Sequence, residues 1–169
     1  MSRKPRPILH LLGELKENLH YDPLTGYFYW TKDRKGGSYN LKASDRADAL
    51  YPPAKYRVIY WKRVGHYAHR VAWLLQTEQE PPDEIDHEDT DKLNNEWANL
   101  REATHSQNNC NRFDSKNTSG FKGVDFMKSK KKWRARINRS HLGLFETAEE
   151  AFEAYKKAAD EIHGEFARY

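Results

Sequence analysis

Between Asp114 and Gly120 the chain reads Asp-Ser-Lys-Asn-Thr-Ser-Gly, a run without one apolar side chain. A stretch of this composition has nothing to bury and reads as a linker. With 169 residues in all, the chain on each side of it must close its own small core. Hydrophobic residues make up 37% and the mean hydropathy is −1.05, so aromatic side chains, 13% of the total, have to fill those cores. The division that follows is residues 1–20 as a tail and amphipathic helix, 21–112 as a first module, 113–119 as linker and 120–169 as a second module.

The formal net charge of +4 permits nucleic-acid binding without establishing it. Its distribution says more. Lys116 to Arg139 carries nine Lys or Arg and a single acid, Asp125, whereas Ser140 to Tyr169 carries three bases and seven acids. Such a switch marks one charged face rather than a uniformly basic surface. The one cysteine, Cys110, excludes an intrachain disulfide, and the lack of a CxxC pair argues against a structural zinc. A reducing, cytoplasmic setting fits. The apolar run after the basic Met1–Pro7 is soon broken by Glu14, Lys16 and Glu17, which is the pattern of neither a signal peptide nor a membrane span.

Ile8, Leu9, Leu11, Leu12, Leu15 and Leu19 recur at helical spacing and predict an amphipathic helix. Asp22-Pro23 and Gly26 mark a turn, and the aromatic run after Gly26 predicts a strand. Residues 33 to 55 are polar and turn-rich, which predicts a long loop with a short helix around Ser44 to Ala49. Tyr56–Trp61 and Gly65–Ala68 read as strands joined by a tight basic turn, and the helix starting at His69 stops at Pro81-Pro82. A short strand over 84–87, a polar loop to Asn95 and a returning turn or strand over 97–100 follow. Thr104-His-Ser-Gln107 has the form of a capping box, so a helix should begin there and carry Asn108, Asn111 and Arg112.

Beyond the linker the pattern is three strands, Lys122–Met127, Lys132–Asn138 and His141–Phe145, and a helix capped by Thr147 that ends at Gly164. Alternation in the middle strand puts Trp133, Ala135 and Ile137 on one face, to be covered by the helix through Ala151, Phe152, Tyr155 and Ala158. Arg134, Arg136 and Asn138 then share an exposed basic face of a size to enter a DNA major groove.

Asp86, His87, Asn99 and Asn108 carry the chemistry. Phosphodiester hydrolysis needs an activated water and positive charge at the phosphate. A histidine can take the proton because it titrates near neutrality. A hard divalent cation, held by a carboxylate and an amide oxygen, can stabilise the developing charge. Taken singly, Asp86-His87 is an ordinary pair, Asn99 a turn residue and Asn108 a solvated one. Their order and shared flanks favour the catalytic reading.

The sequence Ala68-His-Arg-Val-Ala-Trp73, Pro81-Pro82, Ile85-Asp86-His87, Asn95, Asn99-Leu100-Arg101, Ala103-Thr104 and Asn108 resembles the phage and homing branch of the HNH endonucleases, over roughly residues 8 to 112. Tyr21-Asp-Pro-Leu-Thr-Gly26 is similar to the lead-in of that branch. The resemblance implies a ββα-metal fold with His87 as general base. It also implies Asp86 and Asn108 as metal ligands, and Asn99 as the residue that braces the loop and orients His87. Asn108 stands where many relatives have His, which favours one Mg²⁺ or Mn²⁺ over Zn²⁺. Arg70 and Arg101 are candidate contacts to backbone phosphate, Arg70 reading equally as a buried salt-bridge partner, and His66, His69 and His105 read as structural or surface residues.

Residues 119 to 167 resemble the AP2 DNA-binding domain through Ser119-Gly-Phe-Lys-Gly-Val124, Lys132–Ile137, His141-Leu-Gly-Leu-Phe145, Thr147-Ala-Glu-Glu-Ala151, Ala154-Tyr155 and Gly164-Glu-Phe-Ala167. This implies double-stranded DNA as partner, contacted by Lys122, Arg134, Arg136, Asn138, Arg139 and His141. The expected whole is an α+β endonuclease: a ββα-metal module followed by an AP2-like three-stranded antiparallel sheet packed on one helix. The rival reading is a noncatalytic DNA-binding regulator that keeps a degenerate HNH fold.

Overall fold

A computed structural model describes residues 5–36, 39–52, 55–111, 119–138, 140–167 and 169. The chain forms two compact units, Met1–Thr104 and His105–Tyr169.

In the first unit a 3-10 turn, Leu9–Leu11, leads into helix α1, Leu12–Asn18. Leu19, the last apolar residue of the helical pattern, already belongs to strand β1, Leu19–Asp22. β1 pairs antiparallel with β2, Tyr27–Trp30, around the turn at Asp22 to Gly26. Two short strands follow, β3, Arg34–Gly36, and β4, Tyr39–Leu41. Then come β5, Asp48–Tyr51, β6, Tyr56–Trp61, and β7, Val64–Tyr67, as an antiparallel meander. Helix α2, Ala68–Thr77, packs on β6 and the α1 region. The unit closes with β8, Ile85–His87, and β9, Leu100–Glu102, which pair antiparallel across a long loop and a 3-10 turn, Trp97–Asn99.

Residues 33 to 55 are therefore not a long loop with a helix at 44–49. Nonlocal backbone bonds decide this. Ser44 donates to the Trp30 carbonyl, Trp30 to Asp45 and Ala47 to Phe28, which lays the segment alongside β2. Asp48 then anchors it from inside. Its buried carboxylate accepts from the Phe28 amide at 3.2 Å and pairs with Arg46 and Arg57 at 2.8 and 2.9 Å.

Leu15, Phe28, Ile59, Val71 and Leu74 are fully enclosed, and Ile85 and Leu100 join the same core from the β8–β9 hairpin. Arg70 is spent on this packing: its guanidinium donates to the carbonyls of Pro82 and Pro81 and faces Glu80. Glu80 in turn accepts from the amides of Ile8 and Leu9. Helix α2 does not run on to Pro81-Pro82: it ends at Thr77, with Glu78 in a left-handed cap, and the proline segment beyond is fastened to the 3-10 turn at Leu9–Leu11.

The second unit contains helix α3, His105–Asn111, and strands β10, Val124–Met127, β11, Lys132–Ile137, and β12, Ser140–Phe145. The strands form an antiparallel sheet in the order β10-β11-β12. Helix α4, Ala148–His163, covers one face, with Val124, Ala135, Ala148 and Ala151 in one cluster and Ile137, Tyr155 and Ala159 in the other. The alternation expected of β11 is present: Ala135 and Ile137 are buried while Arg136 is exposed. The linker residues 113–118 lie outside the described residues. The capping box at Thr147 is complete, with its side chain accepting from the Glu150 amide and Glu150 reaching back to Thr147. Thr147→Ala should lower the stability of this unit by about 1 kcal/mol; faster amide exchange in the first turn of α4 measures it, and unchanged protection there contradicts it.

Candidate active site

Both faces of β8 are covered, so Asp86 and His87 are buried along with Ile85. The register sets Asp86 opposite Arg101 and His87 opposite Leu100. A buried carboxylate needs a charged or hydrogen-bonding partner. Arg101 supplies one, with Nε at 3.0 Å and Nη2 at 2.9 Å, both on Oδ2 of Asp86. The candidate phosphate contact Arg101 is therefore engaged by the candidate metal ligand.

The ring of His87 is held by Asn95. His87 Nε2 lies 3.2 Å from Asn95 Oδ1, and Asn95 Nδ2 donates to the Leu93 carbonyl at 3.4 Å. The amide thus turns its oxygen to the imidazole. The neutral ring can donate to that oxygen from Nε2. Burial pushes the His87 pKa below its ordinary value, against the opposing effects of the Asn95 hydrogen bond and the nearby Asp89. His87 is accordingly neutral at pH 7, the state a general base requires.

Asn95 is almost fully enclosed, and its surroundings explain the lead-in turn. The Tyr21 hydroxyl donates to the Asn95 carbonyl at 2.7 Å, and the Trp97 amide donates to the Pro23 carbonyl at 2.9 Å. Gly26 has φ +69, and a methyl group there would sit inside the van der Waals envelope of the Asn95–Glu96 peptide. Asp22 shapes the turn by accepting from the Leu24 amide and the Thr25 hydroxyl.

Asn99 organises the loop between β8 and β9. Its Nδ2 donates to Asp89 Oδ1 at 3.0 Å and to the Asn94 carbonyl at 2.9 Å, while its Oδ1 accepts from the Asp89 amide at 2.9 Å. Asn94 Nδ2 reaches the other oxygen of Asp89 at 2.8 Å. Asp89 is held below the usual carboxylate range because these bonds outweigh its desolvation. Asn99 thus braces the chain around His87, and the hydrogen bond to the His87 ring comes from Asn95, to which the sequence assigned no role.

His69 is buried against His87. Its ring meets that of His87 edge-on with centroids 5.2 Å apart, stacks on Tyr67 at 5.6 Å and faces Tyr56 at 5.3 Å. Its Nδ1 is buried with no hydrogen-bond partner among the described residues. Burial, followed by the charges of His87, Arg70 and Lys92, drives its pKa well down.

Asp86, His87 and Asn99 are thus brought onto one hairpin and its loop. Asn108 lies on α3, in the second unit. Among the described residues no group of three His, Cys, Asp or Glu is placed to hold a metal ion. The expected donor set has only one carboxylate, and its chemistry, carboxylate and amide oxygens, suits a hard divalent cation.

Lys122, Arg134, Arg136, Asn138 and His141 belong to the second unit; Arg139 lies outside the described residues. Asn138 and His141 are exposed at the β11–β12 end. The two arginines converge on Asp125, which stands opposite Arg134 in the register. Arg134 bonds both its oxygens at 3.2 and 2.8 Å, and Arg136 Nε lies 3.4 Å away. Arg136 keeps more than half of its side-chain surface exposed, 57% against 28% for Arg134.

A family model of the HNH endonucleases matches residues 66–110, from the end of β7 through α2 and the β8–β9 hairpin into α3. An uncharacterized HNH endonuclease of Acanthamoeba polyphaga mimivirus is 34% identical over 105 residues, 59% of this chain and 54% of that protein. Protein 3.8 of Escherichia phage T7 is 34% identical over 89 residues, 50% of this chain and 74% of that one. No solved structure matches. The chain belongs to the HNH endonuclease family. It spans about half the length of the mimivirus relative and about three-quarters of the phage one.

Two stability predictions follow from the packing around His87. Gly26→Ala should cost about 1–3 kcal/mol through a strained φ and the clash with the Asn95 peptide; a melting temperature equal to that of wild type contradicts it. His69 and His87 both have folded pKa values below the unfolded value near 6.5. The unfolded chain then binds protons first as pH falls, so stability is complete above about pH 6.5 and is lost below it. Urea midpoints should drop between about pH 7.5 and about pH 5, and the drop should shrink in His69→Phe.

Proposed function

We propose that the chain is a metal-dependent DNA endonuclease with His87 as its general base. The observation that supports this most is the buried imidazole aligned by Asn95 next to the carboxylate of Asp86, in a setting whose burial favours its neutral form. On the family resemblance Asp86 and Asn108 would be the ligands of one Mg²⁺ or Mn²⁺, which would supply positive charge at the scissile phosphate. Water attacks phosphorus and gives its proton to the His87 ring, and the P–O3′ bond breaks; the leaving oxygen takes a proton from solvent, which leaves a 5′-phosphate and a 3′-hydroxyl. Asn99 acts by fixing the loop, and through Asn95 the same loop fixes the ring.

The second unit, on the AP2 resemblance, grips duplex DNA with the outer face of its sheet. Arg136, Asn138 and His141 face solvent there, and Lys122, Arg134 and Arg139 complete the set of proposed contacts. Arg134 would exchange its bonds with Asp125 for bonds to DNA. Tethering raises the concentration of the nuclease module at the phosphate.

One observation favours the noncatalytic alternative: Arg101 occupies Asp86, and a guanidinium competes with a cation for a carboxylate. A single assay separates the two readings. Supercoiled plasmid should be nicked with Mg²⁺ or Mn²⁺ and stay intact in EDTA. His87→Ala should lower the rate about 10²–10⁴-fold. Equal rates for wild type and variant, or no cleavage under any of these conditions, would falsify the enzymatic reading. Arg134→Ala/Arg136→Ala together should weaken duplex binding and reduce its salt dependence, measured by fluorescence anisotropy; an unchanged salt slope places the DNA contacts elsewhere.

A further inference from the structure

A cavity of about 430 Å³ opens between the β5–β6 hairpin and the loop that follows His87. This is within the range of roughly 300–1,000 Å³ for small-molecule pockets. Leu50, Pro52 and Leu93 give it apolar walls, and Lys55 and Lys92 bring two ammonium groups to it against one carboxylate, Asp91, so its charge is positive by one. Leu50 keeps 52% of its surface exposed there, a large apolar side chain left uncovered beside cations.

Two contacts join this cavity to the candidate base. Thr90, on its lining, donates its amide to the His87 carbonyl at 2.9 Å. Lys92 stands 4.8 Å from the centre of the Tyr56 ring, whose centre is 6.2 Å from that of His87. A ligand seated in the cavity is therefore one ring away from the reacting group.

Apolar walls bordered by cations suit a ligand that has a flat apolar face and a negative charge on one body. A nucleotide has both. An apolar peptide would leave the excess of Lys55 and Lys92 over Asp91 uncompensated, and a free phosphate would leave the leucines bare. We propose that this cavity receives one nucleotide swung out of the stack beside the cut, its base against Leu50, Pro52 and Leu93 and its phosphate between Lys55 and Lys92. The proposal rests on the nuclease reading and narrows it. Taking a base out of the stack costs least where it is unpaired or mismatched. The enzyme should therefore cut most readily at such points.

The test uses the full chain with His87→Ala, so that the DNA stays whole. Wild type first maps the cut on a duplex. 2-Aminopurine is then placed at successive positions around that cut, since its fluorescence rises when it leaves the stack. The expected result is a several-fold rise at one position next to the cut, lost when Leu50→Glu is added while duplex binding is retained. Leu50 is exposed, so that substitution leaves the core intact. A complex that forms with no brightening, or a rise that survives Leu50→Glu, overturns the pocket and leaves the nuclease standing. If wild type does not cut, both readings fall.

Discussion

One buried amide holds the first unit's site together. Asn95 is reached from three directions: its side chain meets His87, its carbonyl takes the Tyr21 hydroxyl, and its peptide lies against Gly26. The turn at the start of the chain and the hairpin near the end of the unit are thereby one object. A buried polar group left without its partner is costly, so such a contact is kept whole or lost whole. The orientation of His87 is thus as secure as the core that carries β1, β2 and β8, because the same residues build both.

Electrostatics in the two units follow opposite strategies. Around His87 charge is removed: two histidines are driven towards neutrality by burial, and the carboxylate beside them is matched by Arg101. On the C-terminal sheet charge is displayed, yet Asp125 sits within it and holds both arginines in place. An acid at that position orders the guanidinium groups and lowers their attraction for phosphate at large. Partly exposed pairs of this kind contribute little stability. Their effect is on geometry, since Arg134 is bonded through two nitrogens across the strand.

The three-stranded sheet and α4 were legible in the sequence because their forces are local. Alternation in Trp133–Asn138 names the two faces, and Thr147 with Glu150 names the start of α4. The strands β6 and β7 and the helix after them were legible for the same reason. Residues 33 to 55 were not, because their strands are only three or four residues long and are fixed by bonds to β2 and by the buried Asp48, which no local pattern records. Within the site, Asp86, His87 and Asn99 stand out by spacing and by the family they resemble. Asn95 and His69 lie in the same stretch without a role attached, since neither a polar loop nor an amphipathic helix shows which of its residues will face the imidazole.

The account turns on an ion that Asp86 would hold beside the His87 imidazole. Titration of the full chain with Mn²⁺, followed by electron paramagnetic resonance, tests this most directly. The account predicts one bound ion per chain, lost in Asp86→Ala. An ion retained at full affinity in that variant would contradict it.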